Sequence, residues 1–142
     1  MEDFNELLQN RRSIRRYADR VVEPEKIEKI VQAALMSPAG KRLNPWEFVV
    51  VTDRAMLDRL ADFKSSNAQM LKGAPLGIVV LADSHASRTW AYDVAIAAHN
   101  IQLCAADLGL GACWIQCDGY MYDDATDSQQ YVRRLLAIPE RW

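Results

Sequence analysis

The chain has 142 residues, of which 50% are hydrophobic and 25% charged, with 17 Lys and Arg against 19 Asp and Glu. This composition excludes intrinsic disorder and predicts one globular domain over residues 1–142. The net charge of −2 argues against a general nucleic-acid binder. The longest mostly apolar stretch, residues 74–82, is too short for a membrane span, and the acidic N-terminus is unlike a signal peptide. We expect a cytoplasmic protein that binds neither membranes nor nucleic acids.

The hydrophobic pattern predicts helices that alternate with nearly all-apolar strands. In chain order, the predicted elements are a helix from Phe4 to about Asn10, a helix from Pro24 that ends before Pro38, a strand over Phe48–Thr52, a short helix capped by Asp53, a strand over Gly77–Ala82, a long helix over Arg88–Leu108 ended by Gly109, a strand over Ala112–Gln116, and a helix over Gln129–Leu136. Continuous apolar strands indicate a sheet covered by helices on both faces.

The cysteines predict neither a disulfide framework nor a metal site. Their number is odd, and the two histidines flank no CxxC pair. We expect Cys104, Cys113 and Cys117 to be reduced thiols, and no bound metal.

An arginine cluster is the first candidate for a functional site. Residues 11–16 contain Ser13 and four arginines, Arg11, Arg12, Arg15 and Arg16. Guanidinium groups with a hydroxyl and backbone N–H groups suit a phosphate. Two other interpretations stay open: arginines that balance a helix C-terminus or are simply solvated, and a nucleic-acid patch, which the acidic chain disfavours.

Two further segments are candidates only in combination with the cluster. Residues 37–46 combine small residues, two prolines and a tryptophan just before a strand, and residues 108–116 join a helix end to a strand. Each on its own is an ordinary connection. The glycines at 109 and 111 follow a helix, so they do not form a dinucleotide-binding fingerprint.

Taken together and in this order, the three segments resemble the FMN-dependent nitroreductase family over essentially the whole chain. The anchors are Arg11–Tyr17, Ser37–Pro38 with Pro45–Phe48, and Gly109–Gly111 with Trp114–Ile115. The resemblance implies an α+β fold with a central mixed β-sheet flanked by helices on both faces, and a homodimer with FMN at the subunit interface.

The resemblance also implies roles for the first motif. Arg11 and Ser13 would hold phosphate oxygens of FMN, and Arg12 would contribute mainly through its backbone. Arg15 would lie near the pyrimidine edge of the flavin, where a cation stabilises the negative charge that develops on reduction.

The other two segments would line the flavin ring. From the partner subunit would come Ser37, Pro38, Ala39, Gly40 and Arg42. Beside the ring, with backbone groups directed at it, would lie Trp114, Ile115 and Gln116.

The implied activity is ping-pong hydride transfer through flavin N5. NADH or NADPH would be the donor, and a nitroaromatic, quinone or similar conjugated electrophile would be the small-molecule acceptor. No catalytic side chain is expected, because the flavin carries the chemistry. Two alternatives stay open: a flavin-binding protein of the same fold without turnover, and a flavin-dependent reductive dehalogenase.

The sequence departs from the family pattern in two places. Arg42 and Asn44 stand where family members commonly have Asn and Gln. Family members usually continue past Ile138 and Pro139 with another strand and a basic tail, whereas this sequence ends at Trp142. Either the sequence is a shortened form or this is a reduced family member. Without that strand we expect an exposed sheet edge and weaker FMN binding, and, if the chain is complete, a core and flavin site that the dimer partner completes.

Overall fold

The computed structural model describes residues 3–142, which form five α-helices, two 3₁₀ turns and one two-stranded sheet. The elements are α1 (Phe4–Asn10), α2 (Pro24–Leu35), a 3₁₀ turn (Gly40–Arg42), β1 (Trp46–Val51), α3 (Arg54–Leu60), a 3₁₀ turn (Gln69–Gly73), β2 (Gly77–Ala82), α4 (Trp90–Asp107) and α5 (Ser128–Leu136). All five predicted helices are present, with ends that differ from the predictions by no more than a few residues.

The helix boundaries follow the signals in the sequence. Pro24 occupies the first turn of α2, where its missing N–H needs no partner. The Asp53 carboxylate accepts a hydrogen bond from the Met56 N–H at 2.8 Å and so caps α3, as predicted. Gly109 follows the end of α4 with φ of +73°, a conformation that glycine adopts without steric penalty.

The sheet is smaller and less buried than predicted. β1 and β2 are antiparallel, with Trp46 opposite Ala82 and Val51 opposite Gly77, so the first strand begins two residues before the predicted Phe48. The side chain of Val50 is 40% exposed, and all of β2 is only half-buried. Within residues 3–142, β2 has β1 as its only strand neighbour. A groove of about 910 Å³ is lined by β2 and residues 112–118.

The predicted strand over Ala112–Gln116 is wrong. Ala112 forms one isolated parallel bridge with Ser13, and in the described part of the chain no ladder continues beyond it. Past Ala112, no strand within residues 3–142 runs alongside the segment to continue the pairing. The carbonyl of Gln116 accepts a hydrogen bond from the side chain of Lys64 and not from another strand.

The core lies between β1, α3 and α5. Its buried members are Val51, Leu57, Leu60, Phe63, Ala68 and Val132. The odd-numbered residues Val49 and Val79 of the sheet pack against this cluster, because side chains alternate between the faces of a strand.

Helix α4 is the longest helix and packs along α2 and against both strands. Ala34 of α2 and Ala97 of α4 are fully buried, and small side chains allow the two helices to approach closely. Among residues 3–142, no helix combines the length and apolarity that crossing a membrane requires.

Candidate functional site

The structure brings two of the three predicted segments together. The N–H of Ile14 donates to the carbonyl of Ala112 at 3.0 Å, and Ser13 bridges Ala112. A Cβ on Gly111 would lie 2.7 Å from Cγ2 of Ile14, a separation that real Cβ atoms do not show. Glycine at 111 therefore allows the arginine motif, residues 11–17, to lie directly against the segment that follows α4.

The arginine cluster carries positive charge that the described residues do not neutralise. Among residues 3–142, none of the guanidinium groups of Arg11, Arg12, Arg15 and Arg16 forms an ion pair with a carboxylate. Arg12 donates to the carbonyls of Gln9 and Arg11 and so closes the C-terminus of α1. The side chains of Arg11, Arg15 and Arg16 keep their donors for other partners, which suits an anion.

A cavity of about 290 Å³ lies beside this cluster. Arg11, Arg12 and Ile14 line it on one side and residues 109–112 on the other. Pockets that enclose a drug-sized ligand commonly hold ~300–1,000 Å³. The cavity is thus suited to one end of a cofactor, and its guanidinium lining favours an anionic end.

Tyr17 bonds back to the backbone of the arginine segment, residues 11–16. Its hydroxyl donates to the carbonyl of Ile14 at 2.6 Å. Burial raises the pKa of Tyr17, and the nearby Cys113 raises it further while Arg15 opposes the effect. The phenol therefore remains a protonated hydrogen-bond donor at neutral pH.

The segment Trp114–Gln116 has free backbone donors. Ile115 packs against the core cluster, whereas Trp114 is 45% exposed and donates from Nε1 to Oε1 of Gln116 at 3.0 Å. The backbone N–H groups of residues 114–116 donate to no acceptor among residues 3–142. A ligand that lies along this segment could accept from them.

Lys64 is hydrogen-bonded to Gln116, the last residue of this segment, and was not identified from the sequence. It is only 5% exposed, its Nζ donates to the carbonyl of Gln116 at 2.8 Å, and the same atom lies 4.0 Å from the ring centroid of Tyr120. A buried ammonium is stable only when it is paired in this way. A single lysine in a polar stretch carries no sequence signal for such a position.

The third predicted segment lies apart from the other two. Ser37 is buried and accepts a hydrogen bond from Asn100 at 2.7 Å, and the N–H of Gly40 donates to Asp93 at 3.0 Å. Both partners belong to α4. No hydrogen bond among the described residues joins the loop to residues 11–16 or 112–116.

The remaining loop residues are exposed or partly exposed. Pro38 and Arg42 face solvent, and Ala39 is partly buried just before the 3₁₀ turn. The guanidinium of Arg42 forms no ion pair with a carboxylate within residues 3–142. Arg42 is therefore an exposed cation without a carboxylate partner in the described part of the chain.

The three cysteines are free thiols. Burial raises the pKa of Cys117 to about 11, with Lys64 opposing the shift. Burial, assisted by Asp107, also raises the pKa of Cys104. Neither thiol is activated as a nucleophile.

Comparison with known proteins gives a family match along the chain. The model of the Nitroreductase family matches residues 8–69 and 62–142. A Methanothermobacter thermautotrophicus protein, named as an NADH dehydrogenase/NAD(P)H nitroreductase, is 40% identical over 141 residues. The alignment covers 97% of this chain and 71% of that protein.

Solved structures confirm the predicted fold. An FMN-dependent nitroreductase from Clostridium difficile R20291 superposes with a TM-score of 0.93 and 46% identity, covering 95% of this chain and 79% of that one. A more local similarity is to mouse iodotyrosine deiodinase 1, which is 39% identical over 61 residues, 43% of this chain and 21% of that protein.

Replacing Lys64 should destabilise the protein. The change Lys64→Met keeps an unbranched side chain only one atom shorter but removes the charged donor to Gln116, which should lower the free energy of unfolding by about 2 kcal/mol. Urea denaturation measures the loss. The matched control is Lys72→Met, because Lys72 is exposed and should change stability by less than about 0.5 kcal/mol. Equal stability of the two variants would contradict this assignment.

Cys117 should be slow to alkylate in the folded protein. With a pKa near 11 in place of the ordinary 9.0, its thiolate fraction at pH 8 should be about a hundredfold smaller than that of an ordinary thiol. Iodoacetamide labelling followed by mass spectrometry measures the rate, which should rise steadily between pH 8 and pH 10. The same protein in urea is the reference. Equal rates in the folded and unfolded states would refute the prediction.

Proposed function

Since the chain belongs to the nitroreductase family, a family of oxidoreductases, we propose that it is an FMN-dependent enzyme that uses NADH or NADPH to reduce nitroaromatics, quinones or similar conjugated electrophiles. One observation carries the proposal. The arginine motif is bonded to the segment after α4 and, among the described residues, has no carboxylate partners. Such a donor set fits the phosphate of FMN.

The proposed phosphate ligands are Arg11 and Ser13. Arg12 already closes α1 with its side chain, so its contribution would come from the backbone. Arg15 would add positive charge near the pyrimidine edge of the flavin, where negative charge develops on reduction. Bound FMN would supply a ring that takes up hydride and passes electrons on, in a ping-pong sequence, which no side chain can do.

The proposed role of Trp114, Ile115 and Gln116 is to line the ring. Their backbone donors have no acceptor among residues 3–142, and Lys64 fixes the segment through Gln116. The chain supplies position and charge, and we assign no side chain as acid, base or nucleophile.

The loop residues Ser37, Pro38, Ala39, Gly40 and Arg42 would complete the flavin site of a second copy. The loop bonds to α4 and not to the arginine motif of its own chain. Exposed apolar side chains flank the loop in sequence or flank its contact residue Asp93 on α4, and we call them the apolar surface at the base of the loop: Leu35, Met36, Leu43, Tyr92 and Ile96.

The chain exposes enough surface to accommodate a homodimer interface. The accessible surface is 9135 Å², whereas a compact monomer of this mass exposes roughly 7,400 Å². A standard interface buries about 800 Å² per partner. The excess is sufficient for such an interface.

The two alternative functions, a reductive dehalogenase and a flavin-binding protein without turnover, predict different reactions with NADH or NADPH. The similarity to iodotyrosine deiodinase 1 covers 43% of the chain and supports dehalogenation less well than the longer matches support nitroreduction. A binding protein without turnover would take up FMN but would not oxidise NADH or NADPH.

Purified protein should bind FMN and turn over. The flavin absorbance should bleach when NADH or NADPH is added without oxygen and should recover on addition of a quinone. Arg11→Ala should raise the Kd for FMN by about 10- to 100-fold, because a charged hydrogen bond contributes about 1.5–3 kcal/mol. The matched control is Arg134→Ala, an exposed arginine at the end of α5.

Absorbance titration gives the Kd, and steady-state assays with a nitroaromatic, a quinone and an iodinated phenol separate the alternatives. A wild-type protein that binds no FMN would refute the proposal. Binding without NAD(P)H oxidation would favour the non-catalytic alternative, and turnover of the iodinated phenol alone would favour dehalogenation.

The homodimer should dissociate when a charge enters the apolar surface at the base of the loop. Met36→Glu places a carboxylate on a side chain that is 77% exposed in the single chain, so the dimer should weaken toward monomer. Met121→Glu is the matched control, since Met121 is 51% exposed and lies outside this surface. Sedimentation velocity distinguishes the species. A wild-type monomer at micromolar concentration, or equal dissociation of both variants, would contradict the proposed interface.

A further inference from the structure

The backbone around the loop is strained. Lys41, Arg42 and Asn44 have φ of +53°, +56° and +46°, and none of the three is glycine. Left-handed conformations at non-glycine residues persist only where the surrounding structure enforces them. Contacts elsewhere in the fold must therefore hold this loop in place.

Helix α4 supplies two such contacts from one face. Oδ1 of Asp93 accepts from the N–H of Gly40 at 3.0 Å, and Nδ2 of Asn100 donates to Oγ of Ser37 at 2.7 Å. Positions 93 and 100 are seven residues apart, or two helical turns, so they lie on the same side of α4. Helix α4 is thus hydrogen-bonded to the loop at Ser37, where the loop begins, and at Gly40, where its 3₁₀ turn begins.

The carboxylate of Asp93 is itself fixed. It is 4% exposed, and its second oxygen accepts from Thr89 Oγ1 at 2.9 Å and from Ser87 Oγ at 3.3 Å. A Cβ on Gly40 would collide with the same Thr89 hydroxyl, so the loop approaches α4 as closely as glycine allows.

Asp93 does not act as an ion-pair partner. Among residues 3–142, no Lys or Arg lies within ion-pair distance of it, although Lys41 and Arg42 follow Gly40 directly. A buried carboxylate without a cation is costly unless hydrogen bonds satisfy it. Its position is thus explained by the hydrogen bonds it accepts, one of which fixes the loop.

We propose that Asp93 and Asn100 are positioning residues that hold the loop Ser37–Arg42 in the strained shape required at the flavin site of the second subunit. The inference rests on the proposed function, because the loop has this role only if FMN binds there. Neither residue needs to touch FMN, since both act through the backbone and side chain of the loop.

Trypsin provides a direct test on the apo protein. Lys41 and Arg42 are exposed in the single chain and become cleavable when the loop opens, whereas Arg20 in the same chain serves as an internal reference. In Asp93→Ala, cleavage after Lys41 and Arg42, relative to Arg20, should accelerate about tenfold, the effect of one lost hydrogen bond on local opening. Peptide mass spectrometry measures the ratio.

Further variants keep the test decisive. Asp93→Asn retains an acceptor for Gly40 and a donor for Thr89, so it should restore protection close to wild type. Asp107→Ala, on the exposed end of the same helix, should leave the ratio unchanged. If Asp93→Ala does not fold, Asn100→Ala carries the same expectation at the other contact. Wild-type protection in every folded alanine variant would overturn the proposal.

FMN titration distinguishes a failure of the positioning role from a failure of the proposed function. Asp93→Ala should raise the Kd for FMN about tenfold, and Asp93→Asn should recover most of the affinity. If the wild type binds no FMN, the proposed function fails whatever the cleavage rates show. If the wild type binds FMN and Asp93→Ala loosens the loop with an unchanged Kd, the positioning role fails and the proposed function stands.

Discussion

The close packing of α4 is the constraint on which the rest of the molecule depends. Ala97 of α4 has no exposed surface, and α4 packs along α2, the helix that leads into the loop, so the two helices are fixed relative to each other. From its N-terminal half α4 bonds to Gly40 through Asp93. At its C-terminus the chain turns at Gly109 and runs against the arginine motif. One helix therefore orients both halves of the proposed site.

The site is built from irregular backbone that a few buried polar side chains support. The carbonyl of Gln116 is satisfied by Lys64, and the N–H of Gly40 is satisfied by Asp93. In a regular sheet, backbone groups of this kind would be hydrogen-bonded to neighbouring strands. In their place, the N–H groups of residues 114–116 stay free of protein acceptors within residues 3–142 and can serve a ligand.

Much of the local structure was predictable, because short-range chemistry determines it. Pro24, Asp53 and Gly109 predicted helix boundaries through effects that span only a few residues. The strand over Ala112–Gln116 was wrong for the opposite reason. An apolar run can predict a strand, but whether another strand lies beside it is a non-local property. The buried roles of Lys64 and Asp93 also depend on contacts more than fifty residues away in sequence.

The family and the helices were predictable from the sequence, because they rest on ordered motifs and on periodicity within each segment, and the three candidate segments remain a prediction from those same motifs. Asp93 and Asn100 are polar residues seven positions apart in a mostly apolar helix, a pattern that marks one face of α4 but not what contacts that face. Which segments meet became evident from the three-dimensional packing. Gly111 lets the arginine motif approach the segment that follows α4, whereas the loop Ser37–Arg42 is hydrogen-bonded to α4 itself. Contacts of this kind depend on where distant parts of the chain pack, and no local pattern encodes that.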